Sequence, residues 1–139
     1  MSTDTNPSDA GSRTTEERLA AGEAVRREVL GDAHVDRSQQ NATEFTQELQ
    51  SLVTEYCWGV IWTRPGLERQ TRSLINLAML SALGRQDEVK LHVRGAINNG
   101  CTPEQIREVL LQVAIYCGVP AALDASRTAQ KTLDEIAGD

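Results

Sequence analysis

The chain has 139 residues, about 40% of them apolar, and carries a formal net charge of −6. This length suits one domain with a real core, and a content of only two Trp, two Tyr and one Phe leaves that core to aliphatic side chains, which favours helices over sheets. The acidic balance argues against a nucleic-acid or anionic-membrane surface, where Lys and Arg must offset phosphate charge. A small anionic substrate stays possible, because a pocket can be locally basic in an acidic protein.

The chain begins with a polar segment. Residues 1–13 are rich in Ser, Thr, Asp, Pro and Gly, which predicts a disordered tail ahead of one domain at 14–139. The segment has no apolar core typical of a signal peptide, and no stretch of the sequence approaches the roughly 20 apolar residues of a membrane span. Three cysteines without C-x-x-C spacing predict reduced thiols and a cytoplasmic protein.

Helix signals follow one another after the tail. Thr14 and Glu17 have capping-box spacing, as do Thr102 and Gln105, and Phe45 begins an apolar stripe at three-and-four spacing. The third helix is apolar nearly all round, which predicts that it is central and buried. The signals together predict an all-α, single-domain bundle of about six helices, at about 14–30, 41–60, 68–83, 86–99, 103–117 and 121–136.

His92 is the first candidate for chemistry. It lies beside the apolar stripe of the fourth predicted helix, with Glu88 four residues before it and Arg85 three residues before Glu88, so that the three side chains can form one ladder. A carboxylate beside an imidazole can orient it and raise its pKa, which suits a proton donor near neutral pH. A buried histidine beside a surface ion pair is the alternative, and spacing alone favours that alternative.

Other polar residues are candidates for binding. His34 lies in the predicted connection between the first two helices, where a binding role is possible but spacing favours the alternative of capping or loop packing. Arg72 and Arg85 lie near helix ends and could hold carboxylates through bidentate hydrogen bonds, or remain solvated. Two histidines with scattered carboxylates predict no metal site.

Four blocks of sequence nevertheless resemble one family in order and spacing. They are VRREVLGDAHVDRS (25–38), WGVIWTRPGLERQTRSLINLAML (58–80), KLHVRGAINNGCTPEQIREVLLQ (90–112) and AIYCGVPAA (114–122), and they resemble the gamma-carboxymuconolactone decarboxylases. The resemblance implies the alkylhydroperoxidase-like helical fold and a ring-shaped homo-oligomer, a hexamer or a trimer. It also implies the protocatechuate branch of the beta-ketoadipate pathway and a small dicarboxylate lactone as substrate.

The resemblance further implies a chemistry and its residues. Related peroxidases carry C-x-x-C-x-x-x-H, and the positions of the two cysteines are Arg85 and Glu88 here, which disfavours dithiol chemistry. Cofactor-free decarboxylation is therefore expected, with His92 and Glu88 as the catalytic pair and with Arg72, Arg85 and His34 binding the substrate. A thiol-dependent peroxidase and a non-catalytic helical oligomer are the alternatives.

Overall fold

The computed structural model describes residues 12–139, and over that range the chain is helical without any strand. The predicted all-α class is therefore confirmed for this part of the chain. The tail predicted for residues 1–13 lies outside the described residues except for its last two. In chain order the elements are α1 (Thr15–Leu30), α2 (Asp32–Gln40), α3 (Gln47–Leu52), a π-helix (Val53–Ile61), α4 (Arg69–Ala82), α5 (Gln86–Asn98), α6 (Pro103–Tyr116) and α7 (Val119–Gly138).

Two compact units divide the chain, with the boundary between Glu68 and Arg69. The first unit holds α1 to α3 and the π-helix, and the second holds α4 to α7. No helix of the described residues is long and apolar enough to cross a membrane.

The first unit contains a helix that was not predicted from the sequence. Residues 32–40 were expected to be a connection, but they form α2 after Gly31 turns the chain at a φ of 89°. The guanidinium of Arg27 on α1 pairs with Asp32 at 3.1 Å and with Asp36 at 2.9 Å, which holds the short helix in place. A nine-residue helix with one buried residue, Val35, leaves little apolar periodicity to detect.

The start of the second predicted helix was also wrong. Thr43 and Thr46 hydrogen-bond each other's backbone and side chains in a turn, so the helix begins at Gln47 rather than near Asn41. Phe45 therefore lies outside the helix and is 95% exposed instead of buried.

The π-helix continues α3 and packs closely against α1. A Cβ on Gly22 of α1 would overlap the carbonyl oxygen of Thr54, and a Cβ on Gly59 would overlap that of Arg18. The two glycines thus permit backbone contact between the helices. Trp58 and Trp62 are buried and stacked, with 4.8 Å between ring centroids, so both serve the core of this unit.

The second unit matches its predicted helices within three residues at each end. Thr102 caps α6 in a reciprocal capping box with Gln105, as expected. Its aliphatic core is built from residues of all four helices, including Leu77, Val89, Val93, Ile106, Leu110 and Ala125. The expectation for α4 was partly wrong, because it buries only one stripe (Ser73, Leu77 and Ser81), whereas Ile75 and Met79 on its other face are exposed.

Candidate active site

Helix α5 carries three of the five predicted site residues. Arg85 immediately precedes the helix, and its carbonyl oxygen accepts the first helical hydrogen bond, from the Val89 N–H at 2.9 Å. Glu88 lies in the first turn and His92 one turn further on. The His92 side chain is only 9% exposed and lies next to the buried residue Val93. The expected ladder therefore runs from an exposed end at Arg85 to a buried end at His92.

Arg85 and Glu88, the two members of this ladder nearest the start of α5, form an ion pair. One guanidinium nitrogen of Arg85, Nη2, is 2.6 Å from Oε1 of Glu88. This hydrogen bond holds the pKa of the Glu88 carboxyl below its usual range, and positive charge on His92 adds a smaller effect in the same direction. Glu88 and His92 are thus electrostatically coupled, and the coupling works both ways.

Arg72 lies at the opposite end of α5. It occupies the first turn of α4, next to Ser73, whose Oγ accepts a 2.9 Å hydrogen bond from the side-chain amide of Asn99. Asn99 follows α5, whereas Arg85 precedes it. At a rise of about 1.5 Å per residue, the backbones of Arg85 and Asn99 lie about 20 Å apart along the helix axis. The two arginines therefore do not form one clamp, and His92 lies midway between Arg85 and Asn99 along the sequence.

His34 belongs to the first unit and lies on α2, so the prediction of a loop position was wrong. Its Nε2 is 3.5 Å from Oγ of Ser38, and it lines a cavity of about 380 Å³ together with Arg37 and Gln50. Burial, followed by positive charge on Arg26 and Arg37, lowers the pKa of His34. A neutral imidazole at neutral pH can either donate or accept a hydrogen bond from a ligand.

Two buried charged residues in the first unit were not predicted from the sequence. Glu55 of the π-helix forms an ion pair with Arg18, with 2.7 Å between Oε1 of Glu55 and Nη2 of Arg18. Arg26 of α1 is only 7% exposed, and its Nη1 donates to Gln50 at 3.2 Å and to Thr54 at 3.5 Å. The available signal was the position of Arg26 three residues before Val29, on the apolar face of α1.

The three cysteines are free and do not lie on the α5 ladder. Cys101 is buried, its thiol donates to the carbonyl oxygen of Gln70 at 3.5 Å, and burial raises its pKa. A thiol with a raised pKa is a poor nucleophile at neutral pH. In residues 12–139 no group of three or more His, Cys, Asp or Glu side chains is arranged to hold a metal ion.

The fold and the α5 residues define an all-helical protein whose candidate site consists of acid–base groups rather than thiols. Residues 47–131 match the carboxymuconolactone decarboxylase family, and the chain belongs to that family. A 4-carboxymuconolactone decarboxylase of Acinetobacter baylyi is 42% identical over 121 residues, which are 87% of this chain and 90% of that protein. The chain is accordingly a decarboxylase, that is, a lyase.

Two further relatives bear on the substrate. A nitrosuccinic acid decarboxylase of Metarhizium robertsii is 45% identical over 115 residues, covering 83% of this chain and 80% of that protein. A 4-carboxymuconolactone decarboxylase of Pseudomonas putida is 46% identical over 43 residues, which are 31% of this chain and 90% of the matched sequence. All three relatives are named as decarboxylases, but they do not share one substrate.

Proposed function

We propose that this chain converts 4-carboxymuconolactone to 3-oxoadipate enol-lactone, in the cytoplasm, as a step of the protocatechuate branch of the beta-ketoadipate pathway. The observation that carries the proposal is the similarity to the Acinetobacter baylyi enzyme, which extends over 87% of this chain and 90% of that one. Residues 14–139 act as one functional domain in this proposal.

The proposed substrate is its own electron sink. When the bond to the leaving carboxylate breaks, its electron pair moves through the ring double bond to the lactone carbonyl oxygen, and carbon dioxide departs. A proton then adds to the ring carbon beside that carbonyl, which restores the neutral lactone. The reaction therefore needs no cofactor or metal. It needs an acid, stabilisation of the growing oxyanion, and a grip on the acetate arm.

His92 is the acid in this scheme, because it is the histidine of the α5 ladder and lies at its buried end. Glu88 is the positioning residue that favours the protonated imidazole, and Arg85 holds Glu88 through the 2.6 Å ion pair. Arg72 contacts the anionic substrate at the other end of α5, and His34 supplies a second polar contact. A positioned acid contributes about two to four powers of ten in rate.

Nitrosuccinate is the second candidate substrate, because of the relative that is 45% identical. The two molecules have the same reacting skeleton, a carbon that bears a leaving carboxylate and a CH₂-carboxylate arm. In nitrosuccinate the electron pair moves onto the nitro oxygens instead of a lactone oxygen. The proton then adds to the carbon that lost carbon dioxide, whereas in the lactone it adds to the ring carbon beside the carbonyl. Both reactions therefore demand a grip on the same arm, but each needs its proton at a different carbon.

A direct comparison of substrates tests the assignment. The purified protein is given each compound separately, with lactone loss followed by ultraviolet absorbance and 3-nitropropanoate formation followed by proton NMR. The proposal predicts a higher kcat/KM for the lactone than for nitrosuccinate and a loss of lactone turnover in the His92→Gln variant. A higher kcat/KM for nitrosuccinate would overturn the lactone assignment but leave the decarboxylase class intact.

The proposal includes a ring-shaped homo-oligomer, a hexamer or a trimer. The support is a cluster of exposed apolar side chains on α6 and α7, among them Ile115 at 80% and Tyr116 at 82% exposure. Apolar surface of this kind commonly marks an interface. Light scattering coupled to gel filtration tests the assembly, with Ile115→Glu expected to lower the mass. A native protein that elutes as a monomer would overturn this part of the proposal.

A further inference from the structure

Arg26 on α1 is a buried cation whose hydrogen-bond partners in the described residues are neutral. The residue is 7% exposed, and its Nη1 donates to the side-chain oxygens of Gln50 and Thr54, at 3.2 and 3.5 Å. Its Nε is buried and has no hydrogen-bond acceptor, and no carboxylate within residues 12–139 pairs with the guanidinium. Taking a charge out of water without such a partner is costly, so the arrangement favours an anion that binds there.

The acidic groups around Arg26 are engaged by other residues or are uncharged. Glu23 lines the same cavity as Arg26, but its carboxylate accepts hydrogen bonds from Arg27 and from Gln39. The charge of a Cys57 thiolate would act on Arg26, but desolvation raises the pKa of that thiol, which is therefore protonated at neutral pH. Burial lowers the pKa of Arg26 itself, although a guanidinium stays protonated at neutral pH. The positive charge is thus not balanced by the described residues around it.

The cavity beside Arg26 has the size and the lining for a small organic anion. Its volume is about 400 Å³, and its walls include the amide of Gln50 and the hydroxyl of Thr54. Leu19 and Ala20 of α1 add apolar surface to these walls. Guanidinium, amide and hydroxyl groups donate hydrogen bonds to carboxylates, and the apolar surface suits a short hydrocarbon body. All the residues that line this cavity belong to the first unit.

The charges around the cavity favour a ligand with a single negative charge. One buried guanidinium balances one carboxylate, whereas a phosphate group carries about −1.5 to −2 at neutral pH. Glu23 on the cavity wall would repel this additional charge. A second cavity, of about 380 Å³, shares Gln50 with the first and is lined by His34 and Arg37 but by no acidic residue of the described chain. Arg37 therefore adds positive potential on the side away from Glu23's partners.

We infer that the first unit contains a binding site for a small monocarboxylate, in which the guanidinium of Arg26 holds the carboxylate and the cavity beside Leu19 and Ala20 holds its short apolar body. Such a site goes beyond the proposed function and does not depend on it, because all of its residues lie in the first unit. The ligand binds there whether or not the chain turns over the lactone.

Titration of the unmodified protein is the first test. Butyrate is the probe, butyramide is its neutral counterpart of similar shape, and sodium chloride keeps the ionic strength constant. Arginine Nε–Hε resonances are recorded by proton–nitrogen NMR, with that of Arg26 identified by its absence in Arg26→Lys. The Arg26 resonance should move and saturate at roughly millimolar butyrate, whereas that of Arg18, which is paired with Glu55, stays in place. An Arg26 resonance that does not move, or that moves equally with butyramide, overturns the inference.

An Arg26 variant separates binding from a purely structural role. Butyrate should raise the melting temperature of the native protein, because a ligand that binds only the folded state stabilises it. In Arg26→Met this rise should disappear, while the melting temperature without butyrate stays native or increases, since a buried charge is removed without leaving a charged partner behind. An equal rise in both proteins would overturn the site. If Arg26→Met does not fold, the titration of the native protein still decides.

Two acidic residues of α1 provide a matched pair of charge variants. Glu23→Gln removes the carboxylate on the cavity wall but keeps an acceptor for Arg27, and it should lower the Kd of butyrate about three- to tenfold. Glu28→Gln removes the same charge from an exposed position outside the cavity lining and should leave the Kd within about twofold. Equal changes in the two variants would mean that butyrate responds to net charge alone and would overturn the site. A lower Kd for inorganic phosphate than for butyrate would overturn the choice of a monocarboxylate.

Discussion

The guanidinium of Arg85 and the carboxylate of Glu88 lie 2.6 Å apart, one helical turn before His92. Their side chains are 61% and 37% exposed. An ion pair so open to solvent contributes little to stability, because water and salt screen it. Its consequence is local, since it fixes a carboxylate next to the buried histidine on the same helix face.

Removal of the Glu88 charge should therefore change the pH dependence of the reaction rather than the fold. In Glu88→Gln we expect a lower kcat and a basic limb of the kcat profile that moves to lower pH, because the carboxylate favours protonated His92. The free energy of unfolding should be nearly unchanged. Asp87→Asn, which removes the adjacent acidic residue, is the control and should leave the profile in place. A profile equally unmoved in Glu88→Gln would exclude Glu88 from positioning His92.

The close contact between α1 and the π-helix predicts that adding one methyl group at Gly22 lowers the stability of the fold considerably. A Cβ at Gly22 would overlap a backbone carbonyl oxygen of the π-helix, which cannot move aside alone. Gly22→Ala should therefore lower the free energy of unfolding by about 1–3 kcal/mol, measured by urea unfolding. Gly66→Ala is the control, since its Cβ would meet nothing within 4 Å. Equal stabilities of the two variants would show that the helices do not pack at Gly22.

His34 should make the protein sensitive to mild acid. Its folded-state pKa is lowered from 6.5, chiefly by burial, so folding favours the neutral imidazole. The stability that this group contributes is present above pH 6.5 and is lost as the pH falls through the folded pKa. Urea unfolding from about pH 7 to about pH 5 should show a larger loss for the native protein than for His34→Gln. Parallel losses would mean that His34 is solvated and titrates normally.

The thiols should be dispensable for the reaction. Cys101 is buried with a raised pKa, so iodoacetamide should modify it only after unfolding, as mass spectrometry can establish. Lactone turnover should survive treatment of the native protein, and a variant with Cys57→Ser and Cys117→Ser should turn over at the native rate. If this variant lost kcat while its KM stayed native, the reaction would depend on a thiol, which would contradict the prediction.

Strong local signals explain how much of the fold could be predicted. The capping box at Thr102 and the apolar periodicity of the second unit define its helices, because both features act within a few residues. Helix α2 was missed because ion pairs from Arg27, rather than a buried stripe, hold it in place. The π-helix depends on close packing at Gly22 and Gly59, a tertiary contact that no local pattern records.

The candidate site could be predicted only in part for similar reasons. The spacing of Arg85, Glu88 and His92 is a property of one helix, so the ion pair and the neighbouring histidine were accessible from sequence. The separation of Arg72 from Arg85 depends on how α4 packs along α5. The burial of Arg26 depends on Gln50 and Thr54, which are more than 20 residues away in sequence. Roles of all these residues remain predictions.

Turnover of 4-carboxymuconolactone by the His92 variants, followed by ultraviolet absorbance, tests the central claim most directly. We predict that His92→Ala and His92→Gln both lose about two to four powers of ten in kcat while helicity and assembly stay native, because neither side chain can deliver the proton. Substantial turnover in His92→Gln alone would mean that His92 only donates a hydrogen bond to the oxyanion. Near-native turnover in His92→Ala would contradict the claim and place the chemistry elsewhere.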